Sequence, residues 1–187
     1  MPVFKVIIVG GGLSGTLLAN GLLNNEVEFM LYERDASDSK REGYQIRLGE
    51  AAMIGFQSCL TGDQIASVQH KFGQSLGGSS TAPSLYTSSF KRILDLTSLP
   101  SYTKSSAINR VTLRNLLMES VQRAGKVAFN KAFSHYEIVP NIDGEVKVKV
   151  YFADGTHDTG DILIGADGSG SLVSLDTFVF PSEYVSM

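Results

Sequence analysis

The sequence predicts an α/β fold: a Rossmann-like parallel sheet with a glycine-rich dinucleotide-binding turn, to which an antiparallel β-hairpin or meander is added. Three observations predict it. Val3 to Val9 is an apolar, β-branched-rich run that stops at glycine, as a strand buried on both faces should. Gly10-Gly11-Gly12-Leu13-Ser14-Gly15 follows at once and puts Gly10, Gly12 and Gly15 on G-x-G-x-x-G. Further on, Val146, Val148 and Val150 alternate with Lys147 and Lys149 between turn signals, the pattern of a strand with one covered face.

Each glycine of the first motif has its own expected task. Gly10 allows the sharp turn out of the strand, Gly12 lets a pyrophosphate approach the backbone, and Gly15 lets the next helix pack closely on the sheet. That helix is expected from Leu13 to Leu23, with Leu17, Leu18 and Leu22 at helical spacing. The pyrophosphate would rest on the free N–H groups of its first turn, around Leu13 and Ser14, at the positive end of the helix dipole. Val27 to Tyr32 reads as a second strand. Glu33 ends it at the interval where a carboxylate accepts from the hydroxyls of an adenosine ribose, and Arg34 follows as a further contact. A carboxylate there repels a 2′-phosphate, so the site favours FAD or NAD over NADP.

Arg34 to Glu42 is a polar connector. Tyr44 to Leu48 alternates like a short strand, and Gly49 to Leu60 has amphipathic spacing, with Met53, Ile54, Phe56 and Leu60 available to one face. Gln74 to Ser84 has the composition of a flexible loop, and Leu85 to Leu96 reads as one or two irregular strands. Ser105 to Asn109 is expected to be a strand leading into a helix over Val111 to Ala124, which Gly125 ends. Lys126 to Asn130 reads as a strand. Ser134 to Val139 and Val146 to Phe152 form a hairpin about the turn Asn141 to Gly144, and Ala153-Asp154-Gly155 is a second tight turn. Asp161 to Gly165 is expected to be a last buried strand.

Composition narrows the function classes. The 187 residues carry 43% apolar and 19% charged residues, those of a globular protein, and a net charge of −3 argues against nucleic acid or an anionic membrane as partner. Lys40-Arg41 and Lys91-Arg92 are isolated pairs rather than a phosphate track. The apolar stretch Val6 to Leu23 is no signal peptide or membrane span, because Asn20 and the glycines interrupt it, so a cytoplasmic location is expected. Cys59 has no partner for a disulfide, and His70, His135 and His157 are scattered without metal-ligand spacing. No side chain reads as a catalytic acid, base or nucleophile.

Three motifs stand in order: G-x-G-x-x-G with Glu33, the run Asn109-Arg110-Val111-Thr112-Leu113-Arg114-Asn115-Leu116-Leu117, and Asp161-Ile162-Leu163-Ile164-Gly165-Ala166-Asp167-Gly168. The set resembles the FAD-binding part of the single-component flavoprotein monooxygenases, the para-hydroxybenzoate hydroxylase-like family. The resemblance implies that Arg110, in the pattern Arg-x-x-Leu with Leu113, lies near the flavin pyrophosphate. It implies that Asp167 and Gly168 serve both FAD and a transient NAD(P)H donor, and, more loosely, that Tyr44 to Leu48 approaches the flavin ring. Independently, an arginine opening a helix can give charge-assisted bonds to a pyrophosphate or simply be solvated, and Asp-Gly after a parallel strand is either a ligand edge or an ordinary turn.

The resemblance fades at Val173-Ser174, where Ser174 replaces the family's arginine, and a later Gly-Asp motif is absent. Residues 1–173 are therefore expected to form an incomplete FAD-binding domain, truncated relative to the family, and residues 174–187 a poorly ordered non-family tail whose loss costs the core little. Val-Ser is also what a common intron start encodes in frame, so Val173 to Met187 is expected to come from a retained intron. By resemblance the function is that of an FAD-dependent oxidoreductase, a monooxygenase of a small aromatic or polyketide-like substrate using NAD(P)H and O₂. The alternatives are a non-catalytic nucleotide-binding module and an inactive truncated product.

Overall fold

The computed structural model describes residues 4–39, 43–72, 84–96, 106–140 and 146–177. The chain divides into two compact units, Met1–Lys40 with Leu117–Met187, and Arg41–Leu116. Nearly all of the expected loop, from Gln74 to Pro83, the turn Asn141 to Gly144 and the tail beyond Thr177 lie outside the described residues.

In the first unit β1 (Lys5–Val9), β2 (Glu28–Tyr32), β7 (Val127–Ala128) and β11 (Ile162–Gly165) form a four-stranded sheet in the order β11-β1-β2-β7, parallel throughout. The expected strand Lys126 to Asn130 shortens to two residues. The three-stranded antiparallel meander is β10 (His157–Gly160), β9 (Val146–Phe152) and β8 (Phe133–Pro140). Strand β10 was not expected; its Asp158 and Thr159 are weak strand formers, and it is the pairing with Val150 and Lys149 that makes it a strand.

The apolar run of β1 is buried on both faces because two layers cover it. Val6 and Ile8 pack with Ala19, Phe29, Leu31, Met118 and Val121 beneath α1 (Leu13–Asn24) and the end of α4 (Arg110–Arg123). Ile7 and Val9 pack with Tyr32, Phe133, Val148, Val150 and Phe152 of the meander. β11 departs from its expectation: among the described residues it is an edge strand, and Ile162 is 45% exposed. The short helix α5 (Leu172–Thr177) follows it, so the expected boundary at residue 173 falls inside a helix, and Val173 belongs to the meander core.

Helix ends follow local chemistry. Gly125, at φ +68°, closes α4 with bonds from Gly125 N to Gln122 O and Lys126 N to Val121 O, at 2.9 and 3.1 Å. In the second unit Asn109 starts the same helix, its Oδ1 accepting from Val111 N at 2.9 Å and Thr112 N at 3.2 Å. There β3 (Gln45–Leu48) pairs antiparallel with β6 (Ser106–Asn109), and β4 (Ser84–Tyr86) with β5 (Arg92–Asp95). α2 (Glu50–Cys59) buries Phe56 and Leu60 but leaves Ile54 exposed, so Ile54 is not on the covered face. α3 (Gly62–Gln69) was not expected, although Thr61-x-x-Gln64 is a capping box: Thr61 N donates to Gln64 Oε1 at 2.8 Å and Gln64 N to Thr61 Oγ1 at 3.3 Å.

Candidate functional site

The carboxyl ends of β1, β2 and β11 gather the first and last sequence motifs into one place. Gly10 leaves β1 at φ +110°, a conformation L side chains rarely adopt, and its N–H donates to Tyr32 O at 2.8 Å. A Cβ there would lie 2.3 Å from Ala166 O, so the backbone of the Gly-Ala-Asp-Gly element runs directly against the first turn. A Cβ on Gly15 would lie 2.0 Å from Gly10 O, and the helix reaches the strand only because that atom is missing. Both expected tasks are thus visible as contact distances.

Gly12 differs from its neighbours. A Cβ on it would meet nothing within 4 Å, so its bareness serves no internal packing. It is the N-cap of α1, with no side-chain cap and no acidic residue in the first turn. The leading N–H groups of a helix have no partner within the helix and lie at the positive end of its dipole. Leu13 and the exposed Ser14 form this first turn. Such a donor set suits an anionic diphosphate, and FAD is a group whose pyrophosphate it can hold.

Glu33 is 3% exposed, and its carboxylate is shared with the protein itself. Oε2 accepts from Gly11 N at 2.8 Å and Oε1 from Asp35 N at 3.0 Å. The expected ribose ligand therefore also shapes the turn. Gly11, absent from the expected set because it occupies a variable position of the motif, has no room for a side chain: a Cβ would lie 2.7 Å from Glu33 Oε2 and 3.0 Å from Met118 Cε. Arg34 is exposed, its Nε 3.8 Å from Asp35 Oδ1.

Asp167 caps α5. Its carboxylate accepts from Ser171 Oγ at 2.6 Å, Leu172 N at 2.8 Å and Val173 N at 3.4 Å, while Gly168 turns the chain at φ +95°. Arg110 stands in the second unit at the start of α4, its N–H on Tyr44 O at 3.0 Å and its guanidinium carbon 5.9 Å from the Tyr44 ring centroid. Beside it on the helix, Leu113 and Arg114 are both buried.

Behind Glu33, Tyr32 is fixed through its side chain. Its hydroxyl donates to Asp158 Oδ2 at 2.5 Å, and Lys5 Nζ donates to the same carboxylate at 2.7 Å. Burial, then the Asp158 hydrogen bond and charge, push the Tyr32 phenol above its ordinary range, so it remains a donor. Burial would raise the Asp158 carboxyl, but the bonds from Lys5 and Tyr32 outweigh it and hold the group below the usual value. Among the described residues no group of three or more His, Cys, Asp or Glu could hold a metal ion.

A parallel sheet, an uncapped glycine turn and a buried carboxylate at the next strand end define a dinucleotide-binding domain. The chain belongs to the family whose model is described as FAD binding domain, matching residues 3–177. It is 30% identical over 177 residues to the FAD-dependent monooxygenase dbaB of Emericella nidulans, covering 91% of this chain and 41% of that protein. The FAD-dependent monooxygenase dpchE of Colletotrichum higginsianum is 31% identical, with 89% and 34% covered. A solved structure described as that of an FAD-containing monooxygenase of Photorhabdus luminescens matches with a TM-score of 0.73 at 27% identity, over 90% of this chain and 40% of that one. The chain therefore spans less than half the length of these relatives. No described helix is long and apolar enough to cross a membrane.

Proposed function

We propose that this chain is the FAD-holding part of a monooxygenase, with the flavin pyrophosphate on the first turn of α1. The observation that carries the proposal is Gly12: of the three motif glycines, its Cβ position is open while those of Gly10 and Gly15 are occupied by backbone, so its bareness leaves room for an anion at the turn. Gly12, Leu13 and Ser14 would donate backbone N–H groups to the pyrophosphate, and Glu33 would accept from the adenosine ribose alongside Gly11. Arg34, Arg110, Asp167 and Gly168 complete the proposed cofactor set by family resemblance.

When bound, flavin supplies the redox chemistry, taking electrons from NAD(P)H and passing them to O₂. The residues of this chain bind and orient it. A small aromatic or polyketide-like substrate and a cytoplasmic location belong to the same proposal. Because the chain spans about two-fifths of the dbaB relative and less of the dpchE one, cofactor holding is proposed for the chain itself. Weak binding and uncoupled reduction of O₂ to peroxide are expected of it alone, since a flavin ring open to water is not protected from that side reaction.

Titrating purified chain with FAD, followed by flavin absorbance and calorimetry, tests the reading. Wild-type protein should bind, and Gly12→Val should lose binding with an unchanged melting temperature. Equal binding by both would refute the placement of the pyrophosphate. A chain that binds adenine dinucleotides but not their flavin end would favour the rival reading as a non-catalytic nucleotide module.

A further inference from the structure

A chain of hydrogen bonds, buried at Asn20 and part-buried at its two ends, runs from α4 to the N-cap of α1, through residues to which the cofactor reading gives no part. Ser120 Oγ donates to Asn20 Oδ1 at 2.5 Å. Asn20 Nδ2 donates at 2.7 Å both to Leu117 O on α4 and to Thr16 O on α1. Thr16 Oγ1 donates to Gly12 O at 2.6 Å and approaches Leu13 O at 3.2 Å, and Thr16 N donates to Gly12 O at 3.0 Å. Thr16 and Asn20 are both 0% exposed, four residues apart on the face that α1 turns to the apolar core.

We infer that Thr16 is a positioning residue for the pyrophosphate, acting through the peptide plane between Gly12 and Leu13. The inference rests on the proposal that the anion sits at this turn. Glycine is the residue with the greatest backbone freedom, and Gly12 has no side chain with which to cap or steady itself. Its carbonyl and the N–H of Leu13 belong to one planar unit, so whatever fixes the carbonyl aims the N–H. Thr16 fixes it twice, by its amide and its hydroxyl, and Asn20 holds the carbonyl of Thr16 in turn. A fully satisfied polar chain in an apolar interior is rigid, because breaking any link strands a buried group. The turn that must accept a ligand along its open side is thereby braced from its closed side.

The test uses the full chain and ADP, which carries the pyrophosphate without the flavin, with adenosine as the probe that lacks it. Thr16→Val keeps the shape and removes the hydroxyl; Thr16→Ser keeps the hydroxyl. ADP affinity by calorimetry should fall about tenfold in Thr16→Val and stay within about twofold of wild type in Thr16→Ser. Adenosine affinity, followed by NMR titration, should be the same in all three. Ser120→Ala, at the far and partly solvated end of the hydrogen-bond chain, should weaken ADP about threefold and adenosine not at all, which keeps the test open should Thr16→Val not fold. Unchanged ADP affinity in the folded variants, or equal loss of ADP and adenosine, would make Thr16 a satisfied core residue and nothing more. Failure of the wild-type chain to bind ADP would instead remove the pyrophosphate reading, and the inference with it.

Discussion

Strand β1 and the β4–β5 hairpin use the same kind of residues to opposite effect. In β1 consecutive apolar residues point to the two faces of the sheet, and both faces are covered, one by helices and one by the meander. In the hairpin Leu85 and Tyr86, and again Ile93 and Leu94, are also consecutive and apolar, yet all four are exposed, with Ile93 at 66%. Phe90, at the tip, is 88% exposed and held at φ +58° by a turn in which Phe90 N donates to Thr87 O and Thr87 N to Lys91 O. Burial of apolar area is the main source of folding free energy, so the first unit draws its stability from its own layers while the hairpin contributes little. The difference lies in coverage; residue type is the same in both.

The largest effect that would sharpen this contrast is expected at Gly15. Gly15→Val places carbon where Gly10 O already lies, a backbone clash no rotamer relieves, and should cost about 3 kcal/mol or more in urea unfolding. A variant as stable as wild type would mean that the helix does not approach the strand as described.

Glu33→Ala comes next. It removes the carboxylate that accepts from Gly11 N and Asp35 N, at about 1–3 kcal/mol of stability for a buried group left unsatisfied, and on the proposed role of Glu33 it also weakens FAD. Thermal melts with and without FAD separate the two losses. If stability is unchanged, Glu33 is a ligand residue and no part of the turn.

A smaller effect is expected from pH. The Asp158 carboxyl is held below its unfolded value, near 3.9, so its contribution is fully present above about pH 4 and is lost as pH falls through the lowered folded value. Asp158→Asn should therefore flatten part of the acid limb of a stability–pH curve and leave the slope above pH 5 untouched. An unaltered acid limb would show that the Lys5–Asp158–Tyr32 bonds do not tie β10 to the parallel sheet.

The smallest effect is expected in the hairpin. Ile93→Lys should change stability by no more than about 0.5 kcal/mol, since nothing is uncovered by it. A loss of more than about 2 kcal/mol in the same urea titration would break the comparison, because it would show that Ile93 is covered in solution.

Sequence was most legible where one residue type answers one backbone demand. The turn Gly10 to Gly15, the strand before it, the helix after it and the Gly125 stop could all be read from the chain, because positive φ, close approach and helix termination each select glycine. The capping box of Thr61 and Gln64 is just as local a signal, but the helix behind it is short, eight residues with few apolar positions to mark it. Strand β10 and the edge position of β11 were not readable, since pairing partners far along the chain decide them.

By itself, then, the sequence determined the glycine turn, its order within an α/β pattern and the place of its glycines, all of which follow from local backbone geometry. Only the tertiary structure decided that Glu33 braces Gly11 as well as ending a strand, that Asp167 caps a helix, and that Thr16 and Asn20 link Gly12 to α4. Those are hydrogen bonds between groups whose meeting depends on how layers stack. A chain that specifies each element by its neighbours specifies these contacts only once the hydrophobic burial of β1 has brought its covering layers together.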